Sequence, residues 1–369
     1  MNKTCALILF SLSISSAYAK EKNYSSENQN FFPETLITRS DVIWGFDFLP
    51  DNRIIFTERG GKLCIFDPGT KKVIEVSGVP KVHAHGQGGL LDVRVHPTTG
   101  LIYLTYSEPI KGDVSTTALA TARLTGDKLT EFKKLFSAEQ PNDNEIHYGS
   151  RIEFDGKGHV FITVGDRNER HHAQELKYHQ GKVLRFNEDG SVPKDNPFVG
   201  NKDARPEIWS YGHRNPQGLA INPQTGELWE AEFGPRGGDE VNLIFPAKNY
   251  GWPVVTFGKE YWGPKIGEGT SKKGMEDPVA HWVPSISPSA MAFYQGESFP
   301  KWKGNLFLAN LSSTHIRRLV LDGKKVVKEE ELLKDLEYRF RNIRSNKDGF
   351  LYFSTDEGKL GRIVPVKSI

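Results

Sequence analysis

Apolar and polar residues alternate with a period of two along most of the chain, in pairs of short runs joined by a turn. One phrase returns six times: GFDFLPDNRIIFTE from Gly45, LDVRVHPTTGLIYLTYSE from Leu91, RIEFDGKGHVFITVGD from Arg151, GLAINPQTGELWEAEFG from Gly218, AMAFYQGESFPKWKGNLFLANL from Ala290 and IRSNKDGFLYFSTDEG from Ile343. Each copy puts Pro, Asp, Asn or Gly between two runs rich in Ile, Val, Phe and Tyr, the chemistry of a β-hairpin. A helical period shows only in short pieces around Ala173 to Tyr178 and Glu329 to Leu336. The copies recur at irregular intervals of about 45 to 70 residues, which leaves each unit room for two more strands and inserted loops. The pattern predicts an all-β protein, a six-bladed β-propeller with four-stranded antiparallel blades. A β-sandwich would not repeat one phrase six times.

The longest inserts, Pro141 to Gly149, Asp166 to Gly181 and Gly234 to Val283, are polar and aromatic, and in a propeller such loops gather over one end of the central channel. The N-terminus reads differently. Lys3, an apolar run from Ala6 to Ile14 and the small residues up to Ala19 have the order of a secretory signal peptide, so 1–19 is expected to be removed on export to the periplasm or medium. Residues 20–30 then form a polar leader, and 31–369 a single propeller domain.

Cys5 leaves with the signal, so the mature chain keeps Cys64 alone and closes no internal disulfide. A formal net charge of +2 offers no field for nucleic acid. With no further apolar run long enough to span a bilayer, a soluble monomer or homodimer without a transmembrane segment is expected.

Chemistry concentrates between Tyr211 and Pro253, where YGHRNPQG, GPRGGDE and NYGWP follow one another. Arg214 and Asn215 offer fixed donors to a polyanion. Gly234, Gly237 and Gly238 free the backbone to turn carbonyls toward a hard cation, to which Asp239, Glu240 and Tyr250 would add oxygens. His147, in NEIHYGSRIEF, stands at the mouth of a strand, where an imidazole can take a proton from a hydroxyl. His83, His85, His171, His172 and His179 are its rivals, and His83 with His85 lacks a third metal ligand at diagnostic spacing. Gln87 projects from a glycine-flanked turn. Arg339 and Arg341 alternate on a strand and point the same way, toward an anion or toward water.

Taken together, HGQGGLLDV, IHYGSRIEFDGKG, IWSYGHRNPQG, GPRGGDE, KNYGWP, MAFY and RFRNI resemble the soluble PQQ-dependent aldose sugar dehydrogenases of the glucose and sorbosone dehydrogenase superfamily, from about Gly45 to Ile363. The resemblance implies pyrroloquinoline quinone (PQQ) over the channel of a six-bladed propeller, with calcium (Ca2+). It gives His147 the role of general base on the C1 hydroxyl of an aldose sugar, with hydride passing to the quinone and an external acceptor, a quinone or small redox carrier, taking the electrons. It assigns Gln87, Arg214, Asn215, Tyr261, Arg339 and Arg341 to the cofactor, together with Asn310, Leu311, Ser312 and Phe340. Gly234 and Pro235 match carbonyl ligands of the cofactor's calcium, and Glu240 and Tyr250 ligands of a structural calcium. The chain departs from the pattern at Ser312, where the family usually has Lys, and His315 or Arg317 could replace that cation. Asn342 stands where Asp is common. A calcium-dependent lactonase or other hydrolase, and a non-catalytic sugar-binding propeller, are the alternative readings of the same fold.

Overall fold

The computed structural model describes residues 22–27 and 29–366. Six antiparallel sheets account for almost all of its regular structure. Their innermost strands are Ile43–Phe48, Leu90–Val95, Ile152–Phe154, Pro216–Ile221, Pro288–Phe293 and Phe340–Ser345. Each touches the next, and the last touches the first, so the ring is closed. The molecule is a six-bladed propeller, and every repeated hairpin forms the two inner strands of one blade.

Strands in this ring are covered on both faces, because each blade packs between two others. Six apolar clusters fill the six junctions: Ile55, Leu63 and Leu104 between blades one and two, for example, and Trp229, Phe293 and Leu308 between blades four and five. A fully buried side chain of this kind contributes about 1.5–3 kcal/mol, so the junctions dominate stability. Cys64 is one such core residue, its thiol pushed up to about 11 by burial. Hydroxyls tie the inner edges of the blades together: Thr57, Thr105, Thr163 and Ser354 donate to Leu91 O, Ser150 O, Pro216 O and Ile43 O of the adjoining blade at 2.6, 2.6, 2.9 and 2.7 Å.

The sixth blade closes the ring with chain from both ends. Gln29–Thr38 pairs antiparallel with Lys359–Pro365, and Tyr24–Ser26 adds an outer strand. The expected leader therefore ends earlier than residue 30, since Tyr24–Ser26 and Gln29–Asn30 are strand. Its polar sequence gives no core signal because this is an edge, held by tertiary contacts: Tyr24 stacks on Phe31, and Ser26 Oγ bonds Glu330 Oε2 at 2.5 Å. The expected signal peptide lies outside the described residues. The expected helical piece at Glu329 to Leu336 is also corrected. Residues through Leu332 finish the strand Lys325–Leu332, and only Lys334–Leu336 turns as a 3-10 helix. The first piece, expected at Ala173 to Tyr178, is corrected as well: a 3-10 helix spans Arg170–Gln174, and 175–178 is turn and loop.

One irregularity recurs at the same place in five blades. The innermost strand carries a register shift near its start, between Ile43 and Phe46, Leu90 and Val93, Pro216 and Gly218, Pro288 and Ala290, and Phe340 and Asn342. A bulge re-aims side chains. Trp44, Leu91, Gln217 and Arg341 lie at four of these bulges, and all four line a cavity at that end of the channel.

Candidate active site

The cavity at the bulged end has a volume of about 190 Å3, and Gln87, Tyr148, Phe233, Ser287, Leu311, Arg339 and Asp356 complete much of its wall. A second cavity of about 570 Å3, bounded by Gly234, Pro235, Tyr261 and Ser312, shares Phe233 and Ser287 with it. The long inserts stand over this end.

His147 is buried on the rim, with left-handed backbone at φ 56°. That conformation is uncommon for a residue with a Cβ and needs support. Gln87 Oε1 supplies some by accepting the His147 N–H at 2.8 Å, so the Gln87 amide holds the base itself. Arg167 supplies more. Its buried guanidinium stacks 3.8 Å from the Tyr148 ring centroid and donates to the carbonyls of Ile146 and Asn144, pinning the segment just before His147.

The His147 ring is set by Asp166, whose Oδ1 lies 2.6 Å from Nδ1, while Asp166 Oδ2 accepts from Trp252 Nε1 at 2.8 Å. Burial lowers the His147 pKa below its ordinary 6.5, opposed by Asp166 and assisted by Arg214, so the ring is neutral at pH 7. Burial pushes Asp166 up, but His147, Arg214 and its hydrogen bonds outweigh it and hold the carboxylate ionised. With Nδ1 engaged, Nε2 is the nitrogen left for a substrate.

Beside His147 and Asp166, a second set of polar contacts runs from Asn215 toward Arg341. Arg214 lies over Trp252 at 5.4 Å and donates to Phe233 O and Gly234 O at 3.1 and 2.8 Å. Asn215 Oδ1 accepts from Gly149 N at 3.3 Å and Gln217 Nε2 at 3.4 Å, and Gln217 Oε1 meets Arg341 Nη1 at 3.5 Å. Arg341 and Arg339 converge on one carboxylate, Asp356, at 2.7 and 3.1 Å. Asn215 Nδ2 is buried without a partner.

Other residues named from sequence lie elsewhere. Phe340 is fully buried among Phe307, Ile343 and Phe353 and turns away from the cavity, since the bulge rotates Arg341 inward and leaves Phe340 in the core. Asn310 is also fully buried, its amide bonded to His315 O at 3.0 Å. Leu311 lines the inner cavity, Ser312 the outer one, and Tyr261 is 64% exposed on the outer rim. Neither expected substitute for the missing cation at Ser312 faces the site: Arg317 pairs with Glu329 and Glu331, and His315 Nδ1 bonds Ser313 O.

The glycine turn is built as its sequence suggests. Gly237 and Gly238 have φ of 80° and 75°, and a Cβ on Gly238 would sit 2.3 Å from Gly258 N. Asp239 is a structural anchor here: its oxygens take Gly234 N, Ser285 Oγ, Ile286 N and Ser287 N, which leaves little capacity for a cation. Glu240, on the opposite face of the strand, joins Glu230 and Glu232 around the Asn242 amide at 3.3, 3.2 and 3.4 Å. Burial and mutual repulsion push Glu230 and Glu240 well above the ordinary carboxylate range. The Tyr250 hydroxyl is engaged by Leu243 O and Phe245 N, so its main-chain carbonyl is the oxygen left for a metal.

Sequence similarity agrees with this architecture. The profile of the Glucose / Sorbosone dehydrogenase family matches residues 40–364. The chain belongs to that family. It is 43% identical over 342 residues to the aldose sugar dehydrogenase YliI of Escherichia coli K12, covering 90% of this chain and 92% of the relative. The structure of the soluble aldose sugar dehydrogenase from Escherichia coli in the apo form superposes with a TM-score of 0.88 at 42% identity, over 91% of this chain and 100% of the other. The PQQ-bound aldose sugar dehydrogenase of Streptomyces coelicolor gives 0.74 at 25% identity, over 90% and 96%. As a member of this family the protein is an oxidoreductase, a sugar dehydrogenase of the quinoprotein type.

Asp166, Trp252, Arg167, Gln217 and Asp356 were not singled out from sequence. Asp166 and Asp356 each follow the second strand of a repeat, in VGDR and STDE, and that shared placement was the available signal.

Proposed function

We propose that this protein is exported to the periplasm or medium and oxidises aldoses at the C1 hydroxyl to lactones, with PQQ and calcium bound at the bulged end of the channel. The reading rests chiefly on His147: a buried, neutral imidazole is oriented by Asp166, and its backbone N–H is held by Gln87, which lines the same cavity as Arg339 and Arg341. The residues fit the group. Arg59, Arg339 and Arg341 line the inner cavity, Arg236 the outer one, and Arg214 is bonded to the Phe233 and Gly234 carbonyls between them; Asp356 is the one carboxylate in either lining, and the orphaned Asn215 Nδ2 needs an acceptor. Arg214, Asn215, Arg339 and Arg341 would hold the cofactor's carboxylates and carbonyls, with Leu311, Ser312 and Tyr261 along its edges. Gly234 and Pro235 would offer carbonyls to its calcium. Glu240 and Tyr250 border a small void together with Glu232, and Glu240 with the Tyr250 carbonyl would hold the structural one.

When bound, the quinone supplies the two-electron acceptor and calcium polarises it. His147 Nε2 takes the hydroxyl proton as charge develops on the C1 oxygen, and Asp166 stabilises the imidazolium that results. Trp252 and Asn168 N–H fix Asp166 so that it orients the ring.

The test is reconstitution. Purified apoprotein should gain dye-linked aldose oxidation on adding PQQ and calcium, and His147→Ala should lower kcat by about 100-fold or more while leaving quinone affinity intact. No gain at any quinone concentration would defeat the assignment.

A further inference from the structure

The fourth blade carries a cluster that the cofactor reading does not use. Glu230 and Glu232 alternate on Leu228–Glu232 and therefore turn to one side. His213, in the link that leads to Arg214, brings Nδ1 within 3.4 Å of Glu232 Oε1 and 3.9 Å of Glu230 Oε2. All three are buried, with His213 and Glu230 at 0% exposure. His213 Nε2 is paired with Ser210 Oγ at 2.8 Å, yet Nδ1 has no hydrogen-bond partner, nor do Glu230 Oε1 and Asn242 Oδ1 beside it. A water-excluded site that aims an unpartnered imidazole nitrogen at two carboxylates is missing a cation.

We infer that His213, Glu230 and Glu232 bind a divalent first-row transition ion. Among the described residues these are the three metal-capable side chains whose donor atoms all fall within 4.8 Å of one another. An ion bonded at about 2.0–2.2 Å needs donors only slightly closer than 3.4 and 3.9 Å, a closure that side-chain rotation supplies. The donor set selects the ion: calcium takes oxygen, whereas one imidazole with carboxylates suits manganese, cobalt or zinc. The surroundings match a ligand shell. Ser210 on the far ring nitrogen fixes the orientation of His213, Asn242 Nδ2 bridges the two carboxylates, and the Tyr250 ring stacks on the imidazole at 4.8 Å.

The ion has a positioning role. Glu232 Oε2 accepts the Arg214 N–H at 2.5 Å, so fixing Glu232 and His213 fixes the backbone that presents Arg214 and Asn215 to the channel. This site adjoins the proposed structural calcium, since Glu232 borders the same small void as Glu240 and Tyr250 and Asn242 Nδ2 reaches all three carboxylates; the His213 imidazole is what sets its donors apart, and it stands or falls without the quinone.

The experiment uses the whole mature protein, stripped with chelator and held in excess calcium without quinone or sugar. Mn2+, Co2+ and Zn2+ are added separately, and metal per chain is measured by mass spectrometry after desalting. The expected result is one equivalent of transition ion retained over calcium, a thermal midpoint raised by several degrees, and visible Co2+ bands of mixed nitrogen and oxygen ligation. His213→Leu and Glu230→Gln proteins that keep the wild-type circular dichroism should lose that equivalent. Folded wild type retaining none of the three ions, release of the ion by calcium, or equal retention by His213→Leu would overturn the assignment and leave an ordinary His213 to Glu232 hydrogen bond.

Discussion

The two ends of the central channel are made by the same six strands, yet they treat charge in opposite ways. At the end where the innermost strands finish, Arg94 binds Asp47 at 3.1 Å and Glu153 at 2.7 Å, and Arg344 donates to Phe46 O at 2.7 Å. Cation and anion match there without help. At the end where the strands begin, Arg339 and Arg341 share Asp356, and Asn215 Nδ2 has no partner. The self-matched end has a cavity of about 680 Å3, and the other end has two that share a wall, of about 190 and 570 Å3. Size therefore does not tell the two ends apart. Unused polar capacity is the better guide to where a ligand belongs, because a buried group keeps it only where a partner arrives later.

The sharpest way to test this contrast is at the base. Asp166→Asn removes the acceptor that fixes the His147 ring, and kcat should fall by about 100-fold with cofactor affinity unchanged. The pH profile separates orientation from folding. Activity needs neutral His147, so kcat/KM rises with pH through a value below 6.5, where burial has already placed this group. Asp166 is what raises that value against burial, so in Asp166→Asn the acid limb should move lower still. A limb that stays in place would remove Asp166 from the mechanism.

Two methionine substitutions compare the ends directly. Arg94→Met leaves Asp47 and Glu153 without their cation, and should cost about 3 kcal/mol in urea unfolding while kcat and quinone affinity hold. Arg341→Met should do the reverse in kind, weakening quinone binding by about tenfold to a hundredfold, as expected for one charge-assisted hydrogen bond. If Arg94→Met weakened the quinone as much as Arg341→Met does, the division of labour between the ends would be wrong.

Much of this was legible in the chain because hairpin signals are local. Period two and turn residues sufficed to mark twelve inner strands and, from their sixfold return, the propeller. The edge strand Tyr24–Ser26 was hidden, since much of its support comes from Trp302 and Glu330 far along the chain. Bulges were hidden too. Strict alternation pairs Arg339 with Arg341 and says nothing of Gln217 or Trp44, whereas one extra residue at the start of each strand is what swings those side chains into the mouth. The base was visible as a residue type, but its partner was not: Asp166 to His147 is a contact between loops, and no spacing rule predicts it.

The smallest expected effect concerns Ser312, on the outer rim. Its hydroxyl donates to Ser285 O at 3.2 Å and accepts from Ser287 at 2.8 Å, and it is exposed, so a longer side chain there displaces no core. Arg317 is turned outward onto Glu329 and Glu331, so on this side of the outer cavity no cation stands where the resembling enzymes usually have lysine, while Arg236 and Lys259 line other parts of it. Ser312→Lys should therefore tighten PQQ about tenfold, about 1.4 kcal/mol, with kcat and thermal midpoint unchanged. Fluorescence titration of the apoprotein with quinone in calcium buffer measures it. An unchanged Kd would mean that the guanidiniums at the inner mouth already satisfy the cofactor's carboxylates, and would move the whole of the charge contrast inward to Arg214, Arg339 and Arg341.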